Sequence, residues 1–201
     1  SDLKFLHLRE LSRRGLAARA GFTTQLVVGG SEESDLSIMK TVCTLYQDFS
    51  MARAYYSAFH PISGTPLAEK QPESTWREHR LYQADFLFRK YGFHLNELIF
   101  NPNGNLPLEV DPKTLWATSH PEYFPIEINT ASYQQLIRVP GIGPISAKRI
   151  IQYRKESHFC DLRSLQNLGI RAQVAAPYIL LSGKYFRVPQ QLSLFPENIA
   201  G

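Results

Sequence analysis

The segment LIRVPGIGPISAKRIIQYR, residues 136–154, restricts the fold of this chain more than any other. Two stretches with apolar residues at helical spacing flank a Gly-Ile-Gly turn at 141–143. Glycine adopts backbone conformations that other residues avoid, and Pro144 suits the first turn of a helix, where its missing N–H is not needed. The segment therefore predicts two short helices, over 129–139 and 144–155, joined by a tight turn.

The apolar residues of these two helices are expected to be buried against each other. They are Leu136, Ile137, Val139, Ile142, Ala147, Ile150 and Ile151. The N–H groups of the turn and of the second helix's first turn then point outward, where such groups bind phosphate oxygens. Cationic side chains follow within about one turn and add attraction. The predicted contact residues are Gly141, Ile142, Gly143, Ile145, Ser146, Lys148 and Arg149. A tight turn in a helical domain without a ligand is the alternative interpretation.

The charge distribution also indicates a polyanionic partner for this region. The chain carries a net charge of +4, but residues 129–187 carry +7 and residues 92–128 carry −4. A solvated basic face is the alternative explanation of this asymmetry. With 43% hydrophobic residues, 20% charged residues and no apolar run of about 20 residues, the sequence is typical of a soluble, cytoplasmic domain without a membrane segment. The two cysteines, Cys43 and Cys160, predict neither a disulfide framework nor a zinc site.

The N-terminal half alternates strands with helices, which is typical of parallel β–α–β units. Helices are predicted at 2–14, 34–49 and 75–91, and strands at 23–28 and 52–59. Two strands do not make a stable sheet alone, so this half is expected to need further strands. We interpret residues 1–92 as one α/β domain.

Shorter elements are predicted in the remainder of the chain. Residues 93–128 are interpreted as a linker with one helix over 112–119. Beyond the predicted hairpin, Asp161 or Ser164 opens a helix that breaks at 168–170, and a last helix is predicted over 172–182. Residues 129–187 would thus form an all-α domain, followed by an extended tail over 188–201.

The segment INTASYQQLIRVPGIGPISAKRIIQYR resembles the helix-hairpin-helix family of DNA-binding elements, especially those of bacterial DNA-uptake receptors. The segments DLRSLQNLGI and RAQVAAPYI resemble the second, degenerate hairpin that often accompanies them, although the PGIG turn is missing there. The resemblance implies binding to the DNA phosphate backbone without sequence readout. RNA is the alternative partner, because backbone contacts alone do not distinguish the sugar.

The segments TTQLVVGGSEESDLSIMKTV, ARAYYSAFHPISGTPL and TWREHRLYQADFLFRKYGF resemble the C-terminal part of radical SAM proteins of DNA modification and repair. The resemblance implies that residues 1–92 form part of a (β/α) radical SAM barrel. It places the loop of Gly29, Gly30 and Glu32 near S-adenosylmethionine. The side chains of Glu33, His60, Pro61 and Ser63 would then also lie at the carboxyl ends of barrel strands, where such barrels bind substrates.

The sequence departs from that family at its cofactor motif. Radical SAM proteins hold a [4Fe–4S] cluster by a CxxxCxxC motif, which Cys43 and Cys160 cannot form. One interpretation is that the cluster-binding half precedes this chain in a longer parent enzyme, which would carry the cluster and S-adenosylmethionine. The other is a non-catalytic DNA-binding adaptor with a degenerate barrel. Enzymatic activity therefore stays an open question at this point.

The string QLSLF at 191–195 resembles the peptide by which bacterial replication and repair proteins dock on the DNA polymerase sliding clamp. In such a complex, an extended peptide places apolar side chains in a pocket and polar ones at its rim. The implied contact residues are Gln191, Leu192, Leu194 and Phe195. Alternatively, Leu192 and Phe195 pack on their own domain.

Overall fold

The structure is a computed structural model that describes residues 21–186. The chain divides into two compact units, Ser1–Ser119 and His120–Gly201. The predicted helix at 2–14 and the tail at 188–201, including the clamp-docking string, lie outside the described residues. Residues 93–128, interpreted above as a linker, are divided between the two units.

The first unit begins with a parallel β–α–β–α arrangement. Its elements are β1 (Thr23–Val28), α1 (Asp35–Phe49), β2 (Arg53–Ala58) and α2 (Thr75–Tyr91), followed by α3 (Pro112–Ser119). Strands β1 and β2 pair in parallel, with a register running from Thr23↔Arg53 to Val28↔Ala58. The strands predicted at 23–28 and 52–59, the helices predicted at 34–49 and 75–91 and the parallel connection are thereby confirmed.

Local capping chemistry sets the ends of these helices. The Ser34 side chain accepts a hydrogen bond from the Ser37 N–H at the start of α1, and Ser74 caps α2 in the same way. Gly92 ends α2 in the left-handed region, with φ of 66°, where a side chain would be strained. Each of these ends was expected from the sequence because a cap depends on neighbouring residues only.

The two strands bury one face beneath the helices. Ala54, Tyr56 and Ala58 of β2 are buried, and the Tyr56 ring meets Tyr82 of α2 edge-on with centroids 5.0 Å apart. The opposite face of the sheet carries the exposed side chains of Val27 and Tyr55. The described part of this unit thus contains two parallel strands covered on one side. The barrel half implied by the resemblance stays a prediction.

Side chains close the outer edge of β2. Its outward N–H groups alternate along the strand, at Ala54, Tyr56 and Ala58. The first donates to the Tyr46 hydroxyl at 3.0 Å, the second to the Tyr82 hydroxyl at 3.0 Å, and the third to a Glu78 carboxylate oxygen at 2.8 Å. A further strand on this edge would have to displace all three side chains.

The second unit is built from short helices and a small sheet. Its elements are β3 (Ile126–Glu127), α4 (Tyr133–Arg138), α5 (Pro144–Tyr153), α6 (Leu162–Asn167), α7 (Ala172–Ala175), β4 (Ile179–Leu181) and β5 (Lys184–Tyr185). The strand order is β3-β4-β5, with β3 and β4 parallel and β4 and β5 antiparallel. Residues 21–186 therefore contain seven α-helices and two small sheets. None of these helices has the length and apolarity needed to cross a bilayer.

Two predicted boundaries in this unit are wrong. The helix expected over 172–182 ends at Ala175, passes through a 3-10 turn at Ala176–Tyr178 and becomes β4, because Ile179 pairs with Ile126 far back in the chain. Consequently, 129–187 is not all-α. The helix expected from 129 begins only after Ser132, whose side chain accepts the Gln135 N–H at 3.2 Å.

Candidate nucleic-acid interface

The first hairpin of the second unit consists of α4, the turn at 139–143 and α5. The Ile142 N–H donates to the Val139 carbonyl at 3.1 Å, and Gly141 has φ of 81°, in the left-handed region. Six of the seven residues predicted to form the core of this hairpin are buried, and Ile151 is half-buried. The prediction of two short helices joined by a tight turn is confirmed.

The N-terminus of α5 presents backbone donors to the outside. Gly143 precedes the helix without capping it by a side chain, and Pro144 occupies the first helical position without an N–H. The first hydrogen bond of the helix runs from the Ala147 N–H to the Gly143 carbonyl at 2.8 Å. The N–H groups of Ile145 and Ser146 therefore have no acceptor among residues 21–186. Ile145 is 68% exposed, so this end of the helix is open to a ligand.

The two cations predicted beside this end have different surroundings. Lys148 is exposed and has no ion-pair or hydrogen-bond partner in the described residues. Arg149 is also exposed, but its guanidinium donates to the Leu168 carbonyl at 2.9 Å, at the end of α6. Lys148 is thus available to an anion, whereas Arg149 already ties the first hairpin to the second.

The second hairpin repeats the first in outline. Helices α6 and α7 flank Gly169, which has φ of 73°, and Ile170, which is buried like Ile142. Asp161 caps the start of α6 by accepting a hydrogen bond from the Ser164 N–H at 2.8 Å. Of the two starts predicted for this helix, Asp161 and Ser164, the structure has the first. This turn has no counterpart of Pro140, so the PGIG pattern is absent although the hairpin shape is present.

Gly141 faces the second hairpin. A Cβ atom at Gly141 would lie 2.9 Å from the Arg171 carbonyl oxygen and 3.2 Å from the Val174 Cβ. The Ile142 side chain is buried, and its N–H is used within the turn. Of the seven predicted contact residues, the structure therefore brings Gly143, Ile145, Ser146 and Lys148 together at the surface.

Sequence reasoning missed the polar side chains that position this hairpin. The Asn129 side chain accepts the Phe159 N–H at 2.8 Å and donates to the Phe159 carbonyl at 3.0 Å. The Arg154 guanidinium donates to the carbonyls of Ile128 and Ala131 at 3.1 and 2.6 Å. Both interactions join residues more than 20 positions apart, so no local sequence signal could have revealed them.

Glu127 anchors the turn that follows β4, and we expect it to make the second unit sensitive to acid. Burial alone would raise its pKa, but hydrogen bonds from the N–H groups of Gly183, Asn129 and Ser182 outweigh burial and lower the pKa. The ionised Glu127 carboxylate therefore stabilises the folded second unit fully above the ordinary glutamate pKa of about 4.3. This stabilisation is lost as the pH falls through the lower pKa that Glu127 has in the folded state.

A pH series of denaturant unfolding tests this expectation. The free energy of unfolding of the second unit should fall below about pH 4.3 in the original chain, and Glu127→Gln should flatten that dependence. Exposed Glu156, on the same unit, provides the matched control as Glu156→Gln. Equal acid sensitivity in all three proteins would contradict the role of Glu127.

The loops after β1 and β2 place the other predicted site residues in the first unit. A Cβ at Gly29 would lie 2.7 Å from the Glu73 side chain, and the Gly30 carbonyl accepts a hydrogen bond from the Lys70 ammonium at 3.3 Å. Glu32 is exposed. Glu73 therefore fills the space beside Gly29, and the placement of this loop near S-adenosylmethionine stays a prediction.

The remaining residues expected near the strand ends are Glu33, His60, Pro61 and Ser63. Glu33, His60 and Ser63 are exposed, and Pro61 is half-buried. The Glu33 carbonyl accepts a hydrogen bond from Arg77, which fastens the loop to α2 at 2.7 Å. The described contacts thus give Glu33 a structural role through its backbone.

The cysteines do not supply the ligands of an iron–sulfur cluster. Cys43 belongs to the first unit and is half-buried, while Cys160 is exposed in the second. Residues 21–186 contain no group of three metal-ligating side chains. Since such a cluster needs several thiolates, the described residues do not fit it.

Comparison with known protein families identifies the second unit's central element. Residues 123–170 match the family model of the helix-hairpin-helix motif. The match begins before β3, covers the whole first hairpin and ends at Ile170, in the turn of the second. This motif indicates nucleic-acid binding for the second unit. No curated protein and no solved structure matches the chain significantly.

Proposed function

We propose that the first hairpin binds the phosphate backbone of DNA without reading its base sequence. The observation that carries this proposal is the uncapped N-terminus of α5, with the N–H groups of Ile145 and Ser146 directed outward beside exposed Lys148. Aligned peptide dipoles give a helix N-terminus a partial positive charge, which attracts an anion. Phosphate contacts of this kind fix the position of a protein on DNA and carry no sequence information.

The surroundings of this helix end support backbone contact. Ile145, which is 68% exposed at this helix end, is apolar and offers no hydrogen bond to a base edge. The net charge of +7 over residues 129–187 supplies longer-range attraction to a polyanion. The proposed role of the second unit is therefore to keep the rest of the protein bound to DNA.

Salt titration of DNA affinity tests the proposal. We expect the logarithm of the association constant to fall linearly with the logarithm of salt concentration, by about 0.9 for each phosphate neutralised on duplex DNA. Duplexes of equal length and unrelated sequence should bind alike. Affinity that is independent of salt, or that depends strongly on base sequence, would refute the proposal. Competition with an RNA duplex of the same length decides between the two nucleic acids.

A second candidate function concerns the first unit. We propose, from the sequence resemblance, that the chain forms the C-terminal part of a radical SAM protein of DNA modification or repair; the parallel order β1–α1–β2–α2 is the order of (β/α) barrel units and of other α/β folds. The competing hypothesis is a non-catalytic DNA-binding adaptor. A longer natural form with three closely spaced cysteines and the visible absorbance of an iron–sulfur cluster would favour the enzyme. The clamp-docking role of Gln191, Leu192, Leu194 and Phe195 stays a prediction.

A further inference from the structure

The two edges of the parallel sheet in the first unit differ in chemistry. Every outward N–H of β2 donates to a side chain, as described above. On β1, Val28 directs its carbonyl toward β2, where it accepts the Phe59 N–H at 2.8 Å. Because bonding alternates along a strand, Thr23, Gln25 and Val27 direct their backbone groups away from β2. In the described residues, their N–H groups have no partner.

The open edge of β1 lacks the features that normally prevent strand pairing. The sequence TTQLVV contains no charged residue and no proline, and it has no bulge in its register with β2. Val27 is 55% exposed, and valine favours the extended conformation of a strand. A strand with these properties pairs readily with another uncharged strand.

We propose that a second copy of this chain occupies this edge, with β1 pairing antiparallel to its twofold equivalent. Centred on Gln25, the pairing sets Gln25 against Gln25 of the other copy and Thr23 against Val27. Gln25 then exchanges two hydrogen bonds with its equivalent, and each Val27 N–H donates to a Thr23 carbonyl. The Thr23 N–H donates in return to the Val27 carbonyl, whose second lone pair accepts the Gly30 N–H at 3.4 Å within its own chain. Like charges are absent from the contact, because β1 has no ionisable side chain.

The closed edge of β2 determines what such pairing can build. Joining two copies through β1 gives a four-stranded sheet of order β2-β1-β1-β2, whose outer edges are both capped by side chains. Four strands is a usual sheet size, whereas two are marginal. A twofold contact uses the same surface on both copies and leaves no site for a third. The proposal therefore specifies a dimer. Because the dimer fills the edge that a preceding barrel strand would pair with, it is compatible with the DNA-binding adaptor and is an alternative to the radical SAM barrel.

Molar mass in solution, without DNA, tests this proposal and leaves the proposed function untouched. The chain should have twice its monomer mass of 22.9 kDa by light scattering. Gln25→Pro removes an N–H that faces away from β2, so the variant should keep its circular dichroism and become monomeric. Gln25→Thr keeps the N–H and should stay dimeric.

A charge exchange at the same position tests the register. Gln25→Lys and Gln25→Glu should each be monomeric, because the twofold axis sets like charges directly opposite each other. An equimolar mixture of the two variants should restore the dimer. A monomeric original chain would overturn the proposal and would favour a strand supplied by the same polypeptide. A dimer that survives Gln25→Pro, or a mixture that stays monomeric, would also overturn it.

Discussion

Replacing Ile145 with aspartate should weaken DNA binding by about 10- to 100-fold while leaving the second unit folded. The substitution places a carboxylate beside the outward N–H groups of α5, where it would take the position of a phosphate and repel it. Loss of a charge-assisted hydrogen bond costs about 1.5–3 kcal/mol, and about 1.4 kcal/mol corresponds to a factor of ten in affinity. An acidic residue in the first turn of a helix is itself favourable, so the fold should not suffer.

A matched control separates this local effect from a change in net charge. Gln152→Glu makes the charge of the chain more negative by the same amount, on the exposed surface of the same helix but near its other end. We expect it to change affinity much less than Ile145→Asp when both are measured by fluorescence anisotropy on one duplex. Equal losses for the two variants would show that the helix N-terminus is not the contact.

The Gly141→Ala variant should destabilise the second unit by about 2–5 kcal/mol. With φ of 81°, the new side chain adopts a left-handed conformation that costs about 1–2 kcal/mol. Its Cβ would also lie 2.9 Å from the Arg171 carbonyl oxygen, and relieving such overpacking typically costs about 1–3 kcal/mol. The contact lies between the two hairpins, so their junction should loosen first.

Gly183→Ala is the control for backbone strain. Gly183 has a similar φ of 72°, but no atom lies within 4 Å of the position that a Cβ would take there, so only the conformational cost applies. Hydrogen exchange of amides in 133–181 reports the second unit, whereas fluorescence of Trp76 and Trp116 reports the first. If both glycine variants lost the same stability, the close approach at Gly141 would have no energetic role.

The parts of the fold that sequence analysis predicted correctly depend on neighbouring residues. Ser34, Gly92 and Asp161 end or begin helices through contacts within a few positions, and the Gly-Ile-Gly turn is equally local. The helix predicted over 172–182 was wrong because the partner of β4 is Ile126, more than 50 residues away. Local propensity carries no information about such a partner.

The candidate interface shows the same limit at the level of single residues. The sequence correctly marked the region of Gly143, Ile145, Ser146 and Lys148 as the exposed end of a helix. It could not show that Gly141 lies against Arg171, since that contact requires the second hairpin to be in place. Nor could it show that the Arg149 guanidinium is already bound to the Leu168 carbonyl.

The contacts of Asn129 limit how the hairpin could be transplanted into another protein. The Asn129 side chain accepts a hydrogen bond from the Phe159 N–H and donates one to the Ser182 hydroxyl at 3.4 Å. The Glu127 carboxylate accepts one from the Gly183 N–H at 2.7 Å. A peptide cut to the hairpin alone would lose every one of these ties. The smallest portable form of this helix-hairpin-helix module therefore extends from β3 through the turn at Gly183, more than twice the length of the motif's two helices and turn.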